Sequence, residues 1–340
     1  MLAARSLHLH RTAPAFRLYA LTPTQSPAAR RHRSPPILAS SQDQILRSIS
    51  DNGQVSIMVV NGTNLVQEAC TRHKTAPTAS AALGRALLGT LLMACFREEG
   101  EKTQVTFRSD GPINGIQVIA DALGQVKGKV GNVGVDPPLR PDGKLNVGAA
   151  VGRGILAVVR SRSNGYQPFT GMVPIESGEI AEDLTTYLYQ SEQSQSALGL
   201  GVSINRQLEV DAAGGFLIQV LPFAEEETLA VLEKNITSAG SVTSMLKKGM
   251  SARDITQRLL EGIGSSDPGF ELTPKYGPCD AEALRGRMAS AVATLGEEEV
   301  KSILEEQGKI EVTCEFCRDT YDFQEEEIME LVRQASSSDE

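Results

Sequence analysis

The chain has 340 residues, a formal net charge of −9, five cysteines, four histidines and no tryptophan. That length exceeds the usual single-domain size, so two domains plus an extension are expected, and so few cysteines exclude a disulfide-stapled mini-scaffold. An odd count with three of the five clustered fits a reducing compartment and metal or redox use.

Residues 1–42 carry no Asp or Glu, six arginines (Arg5, Arg11, Arg17, Arg30, Arg31, Arg33) and many Ala, Ser, Thr and Pro. This is the composition of an organelle transit peptide, with chloroplast expected and mitochondrion the alternative; a basic arm for nucleic acid competes with it. Without those six positive charges the remainder carries about −15, which argues against nucleic-acid backbones as partners and favours solubility. No stretch is expected to cross a membrane, because the longest apolar run, Ala81 to Phe96, is broken by Gly84, Arg85 and Gly89 and is expected as a buried helix.

Residues 43–223 are expected to form one domain. Val55 to Val60 has the pattern of a strand, Thr63 to Arg72 of a short helix, and Pro77 precedes the long apolar helix. Thr103 to Ser109, Gly115 to Ala120 and Gln125 to Val130 follow as closely spaced strands joined by turns such as Asp110-Gly111-Pro112, which means antiparallel hairpins and not βαβ units. Ile155 to Arg160, a helix from Ile180 to Glu192, Val202 to Ile204 and Phe216 to Leu221 complete it. The expected fold class is α+β: an antiparallel-rich sheet with helices packed on one side, then a helical linker and a small C-terminal domain.

Residues 224–272 are helical in pattern but thinly apolar, with Leu229, Leu232, Ile236, Met245, Ile255 and Leu259 divided by Gly240, Gly249 and Gly262. Short amphipathic helices depend on docking for stability, so this linker is expected to be metastable; a firmly packed helical hairpin is the competing reading. Residues 273–334 hold Cys279, Cys314 and Cys317 beside a small apolar inventory, and 335–340 are expected as a disordered tail. Cys314 and Cys317 form a C-x-x-C turn between apolar alternations (Ile310, Val312; Tyr321, Phe323), a knuckle that holds two thiolates at zinc-ligand spacing. Cys279 reaches the same ion from a neighbouring loop, leaving the fourth ligand to water, a carboxylate such as Asp280, or a residue from elsewhere. A structural knuckle and spectator thiols are the plainer alternatives. Cys70 and Cys95 fit core packing.

Other chemistry finds little support. The glycines Gly148, Gly152 and Gly154 lack phosphate-loop spacing, no Ser/His/Asp arrangement is available, and the protein is not expected to be an enzyme. A thiol-disulfide oxidoreductase would place its C-x-x-C at a helix start inside a βαβ unit, unlike this knuckle. A zinc-knuckle nucleic-acid binder would need a basic stripe around Cys314.

Thr78-Ala79 through Gly84-Arg85, Asp110-Gly111-Pro112 with Gly115, Ser177-Gly178-Glu179-Ile180-Ala181-Glu182-Asp183-Leu184, Ser191-Glu192-Gln193, Gly199-Leu200-Gly201-Val202, Ala213 to Gln219 and Val312 to Cys317 resemble, in order over roughly residues 45–334, the 33-kDa heat-shock protein family of redox-regulated holdase chaperones. The resemblance implies a client-holding α/β domain, a helical linker and a zinc-thiolate switch. It also implies unfolded proteins as clients and a homodimer when oxidised. In that family a C-x-C precedes the C-x-x-C; matching the blocks places Gly277 at the first of these cysteines and Cys279 at the second. The implied Zn2+ ligands are then Cys279, Cys314 and Cys317, and the implied redox disulfide is Cys314 with Cys317. Oxidation would release the ion, unfold the tail and linker, and uncover apolar surface under oxidative stress. A constitutive chaperone with a purely structural knuckle is the alternative.

Overall fold

The computed structural model describes residues 42–162, 167–266 and 269–337, all within the unit Ser40–Glu340. The expected transit peptide lies outside the described residues.

Strands β1 (Gln44–Ile49) and β2 (Val55–Asn61) lead into helices α1 (Thr63–His73) and α2 (Pro77–Cys95). Strands β3 (Glu101–Ser109), β4 (Ile116–Asp121) and β5 (Gln125–Val130), helix α3 (Val147–Val151), strands β6 (Gly154–Arg162) and β7 (Phe169–Ile175), helix α4 (Ala181–Gln190) and strands β8 (Ser196–Ile204) and β9 (Val210–Val220) complete the body. Three helices follow, α5 (Glu226–Ala239), α6 (Val242–Lys247) and α7 (Ala252–Leu259), then two short strands, β10 (Phe270–Leu272) and β11 (Lys275–Tyr276). The C-terminal part is α8 (Ala281–Ala293), α9 (Glu297–Gln307), β12 (Ile310–Thr313), β13 (Thr320–Phe323) and α10 (Glu325–Ser337). Helix α10 runs past residue 334, where a tail is expected from the sequence.

The body holds two sheets, β10-β1-β2-β9-β8 and β11-β5-β4-β3-β6-β7, antiparallel throughout except where β11 joins β5 in parallel. Helix α2 packs against both, touching β3, β4 and β5 on one side and β2, β8 and β9 on the other. The expectation of helices on one side of one sheet is corrected here. Every residue of α2 except Pro77 and Arg85 is buried, so a single sheet would leave half of the helix wet, and two sheets enclose it. It is long and apolar enough for a membrane by length and composition, yet 94% of its most apolar 18-residue window is buried inside the protein. Gly84 and Gly89 permit the close fit: a Cβ at Gly84 would lie 2.6 Å from Val66 and 2.8 Å from Val202, and one at Gly89 would lie 2.5 Å from Leu184.

Strand β2 is buried along its whole length, and its period-2 alternation feeds two separate cores. Met58 and Val60 face the α2 core. Val55, Ile57 and Val59 face a second cluster, with Phe216 and Ile218 from β9, and α5–α7 cover it through Leu232, Val242, Met245, Ile255 and Leu259. Caps make those thinly apolar helices possible: Ser241 accepts from Ser244 N at the start of α6, and Ser251 and Asp254 form a reciprocal capping box on α7. The helices expected as a metastable linker are therefore laid flat over an apolar sheet face. A third cluster, including Leu284, Val300, Ile310, Phe323, Ile328, Cys314 and Cys317, belongs to the C-terminal module alone.

Candidate redox and metal site

The site begins where the linker ends. Leu272, Glu271 and Phe270 pair with Ile45, Leu46 and Arg47 at the edge of one sheet, and Lys275 and Tyr276 pair with Gln125 and Val126 at the edge of the other. This strap runs into Cys279 and the cap of α8, where Asp280 accepts from Glu282 N and Ala283 N at 3.0 and 3.1 Å. Strands β12 and β13 pair from Ile310↔Phe323 to Thr313↔Thr320 and present the knuckle Cys314 to Arg318 between them. Backbone hydrogen bonds from Cys314 N to Asp319 O (2.9 Å) and from Arg318 N to Cys314 O (2.8 Å) close it, with Arg318 in the left-handed region at φ 61°.

The three sequence-predicted cysteines come together. Cys279 and Cys317 are joined by a disulfide with a Cα–Cα distance of 6.3 Å, and Cys314 is a free thiol. Cys314 and Cys317 are buried and Cys279 packs against the same cluster. The expected Cys314–Cys317 pair is not the bond present. In this disulfide state the donors do not fit a metal: Cys314 alone retains a thiol, and among the described residues no group of three His, Cys, Asp or Glu is placed to hold an ion. Reduced, Cys279, Cys314 and Cys317 supply three thiolates, a soft donor set that suits zinc. Asp280 is committed to its helix cap, and Gly277 brings no donor. The backbone there is adapted to glycine, with φ 146° and a Cβ position 3.1 Å from Cys279 N.

The knuckle is docked on the body through contacts that sequence reasoning missed. His73, the last residue of α1, places Nε2 3.0 Å from both the Phe316 carbonyl and the Tyr276 hydroxyl; a protonated Nε2 donates to that carbonyl. The Tyr276 hydroxyl donates to the same carbonyl, with the Gly128 carbonyl 3.1 Å away. Burial pushes the Tyr276 phenol up to about 12 and holds the His73 imidazole below its ordinary value, with the charges of Arg318 and Arg72 adding to the depression. Arg72 donates to the Cys317 carbonyl at 3.2 Å and lies 3.5 Å from the Asp319 carboxylate. Lys127 donates to the Pro278 carbonyl at 3.1 Å, Lys129 pairs with Glu315, and both ammonium groups lie within 6 Å of the Phe316 ring. Cys70 and Cys95 are buried in the main core, as expected.

With that geometry in place, comparison with known proteins is specific. Residues 43–324 match the family described as Hsp33 protein. The 33 kDa chaperonin of Clostridioides difficile is 40% identical over 295 residues, covering 86% of this chain and 99% of the relative. That of Geobacter sulfurreducens is 41% identical over 292 residues, covering 85% and 94%. The crystal structure of the 33 kDa chaperonin from Thermotoga maritima superposes with a TM-score of 0.80 at 33% identity, covering 87% of this chain and 100% of that one.

Proposed function

This chain belongs to the Hsp33 family and is a molecular chaperone, and on that premise we propose that it is an ATP-independent holdase switched by the redox state of Cys279, Cys314 and Cys317. The observation that carries the reading is the convergence of those three sulfurs in a small module whose strap continues directly into the helices covering an apolar sheet face. The strap gives a change at the sulfurs a mechanical route to the cover.

In the reduced state the three thiols serve as ligands. A Zn2+ ion bound there would keep the sulfurs deprotonated and add folding free energy to a module too small to be secure without it. Peroxide or hypochlorous acid removes two electrons from a pair of thiolates, forming one S–S bond; with peroxide, and two protons taken from solvent, the products are the disulfide and two waters. Cys317 can take only one partner. Bonded to Cys279 it closes a loop of 38 residues and is compatible with the folded module. Bonded to Cys314 it closes only the knuckle, and Cys279 is released together with the strap. We assign the activating state to that second pairing. Cys314 reaches it from the first by attacking Cys317 Sγ and expelling the Cys279 thiolate, with no net oxidation. Once α5–α7 lift, Val55, Ile57, Val59, Phe216 and Ile218 are uncovered for unfolded clients. The same face supports pairing of two oxidised copies. The acid-free, arginine-rich stretch 1–42 supports import into a chloroplast.

A second reading, a constitutive chaperone with a structural knuckle, is favoured by the apolar side chains left open in the closed state: Phe169 and Met172 on β7 are 54% and 63% exposed. One experiment separates the two. Suppression of heat-induced client aggregation is compared for reduced and peroxide-treated protein, with zinc release followed in the same samples. The switch predicts activity mainly after oxidation, and loss of both zinc and the oxidation response in Cys314→Ser/Cys317→Ser. Equal suppression by the reduced form, unchanged in that double variant, selects the constitutive reading.

A further inference from the structure

A cavity of about 960 Å³ lies between the outer face of the β3–β5 sheet and the knuckle. Its charged lining is Arg108, Lys129, Arg153 and Arg318 against Asp110 and Glu315. The two carboxylates are already engaged. Asp110 accepts from the backbone N–H of Arg153 at 2.8 Å, and Glu315 pairs with Lys129. Arg108, Arg153 and Arg318 form no ion pair with any described residue. Three guanidinium groups without a salt bridge therefore line one cavity beside a single carboxylate without an ion pair, Asp110, which leaves an excess of positive charge there for an anion to meet.

We propose that this cavity binds a phosphorylated small molecule, its phosphate oxygens held by Arg108, Arg153 and Arg318. Guanidinium groups match phosphate oxygens in a bidentate fork. The backbone bearing Arg153 is fixed in advance, with Gly111 N donating to Val151 O at 3.0 Å and Asp110 N to Arg153 O at 2.8 Å, so the ordering cost of binding falls on the three exposed side chains and not on the loop. Ile155 and Val133 give the wall an apolar portion suited to an organic group, and the volume lies at the upper end of small-molecule sites.

The consequence for the switch rests on the function proposed above; the binding does not. Arg108 and Arg153 belong to the body and Arg318 to the knuckle, so one phosphate ligand bridges the two and holds the module docked. Ligand therefore opposes release of the strap.

Calorimetric titration of the full chain at low salt with magnesium present uses ADP, inorganic pyrophosphate, inorganic phosphate and adenosine. We expect saturable 1:1 binding of ADP and no binding of adenosine. Pyrophosphate binding as tight as ADP assigns recognition to the phosphates alone, and tighter ADP binding assigns a part to the apolar wall. Arg108→Gln/Arg153→Gln and, separately, Arg318→Gln should each weaken ADP at least tenfold, while Lys144→Gln, outside the cavity, leaves it unchanged. Absence of saturable binding by any phosphate compound, or equal affinity in the arginine variants, overturns the site. Hydrogen exchange of residues 314–318 reads the bridge: ADP should slow it severalfold in the unaltered protein and not in Arg318→Gln. Binding with no such slowing overturns the bridge. Binding and slowing in a protein without oxidant-dependent chaperone activity leave the site standing and remove the switch.

Discussion

Cys95 ends helix α2 with its sulfur 3.9 Å from the Asp121 carbonyl, and burial, with the Asp121 carboxylate adding to it, pushes the thiol up to about 12. Burial raises the Cys70 thiol as well. Since the thiolate is the reactive form, a thiol at that value has roughly one molecule in ten thousand reactive at pH 8. Protein reduced in the presence of chelator and then exposed to iodoacetamide at pH 8 should therefore be modified at Cys279, Cys314 and Cys317. Cys70 and Cys95 should stay unmodified until denaturant is added. Peptide mass mapping checks this, and labelling of Cys95 as fast as the C-terminal cysteines would contradict the packing of α2. The separation between the core cysteines and the C-terminal cysteine cluster was legible from sequence, because a C-x-x-C flanked by strand alternation is a local pattern and Cys95 lies in a continuous apolar run. The docking residues were less so. Val66, Ala69, Cys70 and His73 follow helical spacing, which places the imidazole on the buried stripe of α1; its partner, Phe316, is 243 residues away, a distance that no local pattern spans.

Helices α5–α7 show how a thinly apolar element is held. Ile255 and Leu259 of α7 are fully buried against β2 and its neighbours, whereas most of the outward surface of α5 is exposed. Truncating one such side chain costs about 2–5 kcal/mol, and the loss falls on helices with few other attachments. Ile255→Ala is thus expected to raise hydrophobic-dye binding and to confer aggregation suppression on the reduced protein without oxidant. A variant that stays inactive when reduced while its circular dichroism shows α7 lost would separate the cover from client binding. The helical spacing of these segments was evident in the sequence, and so were their glycine boundaries. Whether they lay on the body was not, since that depends on β2 presenting a second apolar face. The sequence reading missed the strap for a different reason: β10 and β11 span three and two residues, too short to show alternation, and they become strands only because β1 and β5 offer open edges.

Across the whole molecule the three cores are unequal and differently connected. The α2 core and the linker core share β2 and β9, so they gain and lose stability together; the C-terminal cluster shares no strand with either. It is tied to the body by the strap and by the contacts of Arg72, His73, Tyr276, Lys127 and Lys129. Within it the Cys279–Cys317 bond closes a 38-residue loop, worth about 4 kcal/mol on the chain-entropy estimate. A core of this size supplies only about 3–5 kcal/mol. Bond and core are therefore comparable, and removing the bond without supplying a ligand for the thiols takes away about half of what holds the module folded. Thermal unfolding should accordingly show two transitions. Dithiothreitol with chelator should move the lower one well down in temperature, with hydrogen-exchange protection weakened across residues 279–332 and retained in β2 and α2. Returning zinc to the reduced protein should restore the lower transition if the three thiolates hold the ion. Protection of the module that is undiminished by reduction and chelation together would mean that its apolar cluster suffices alone, and no change at the sulfurs would then reach the linker.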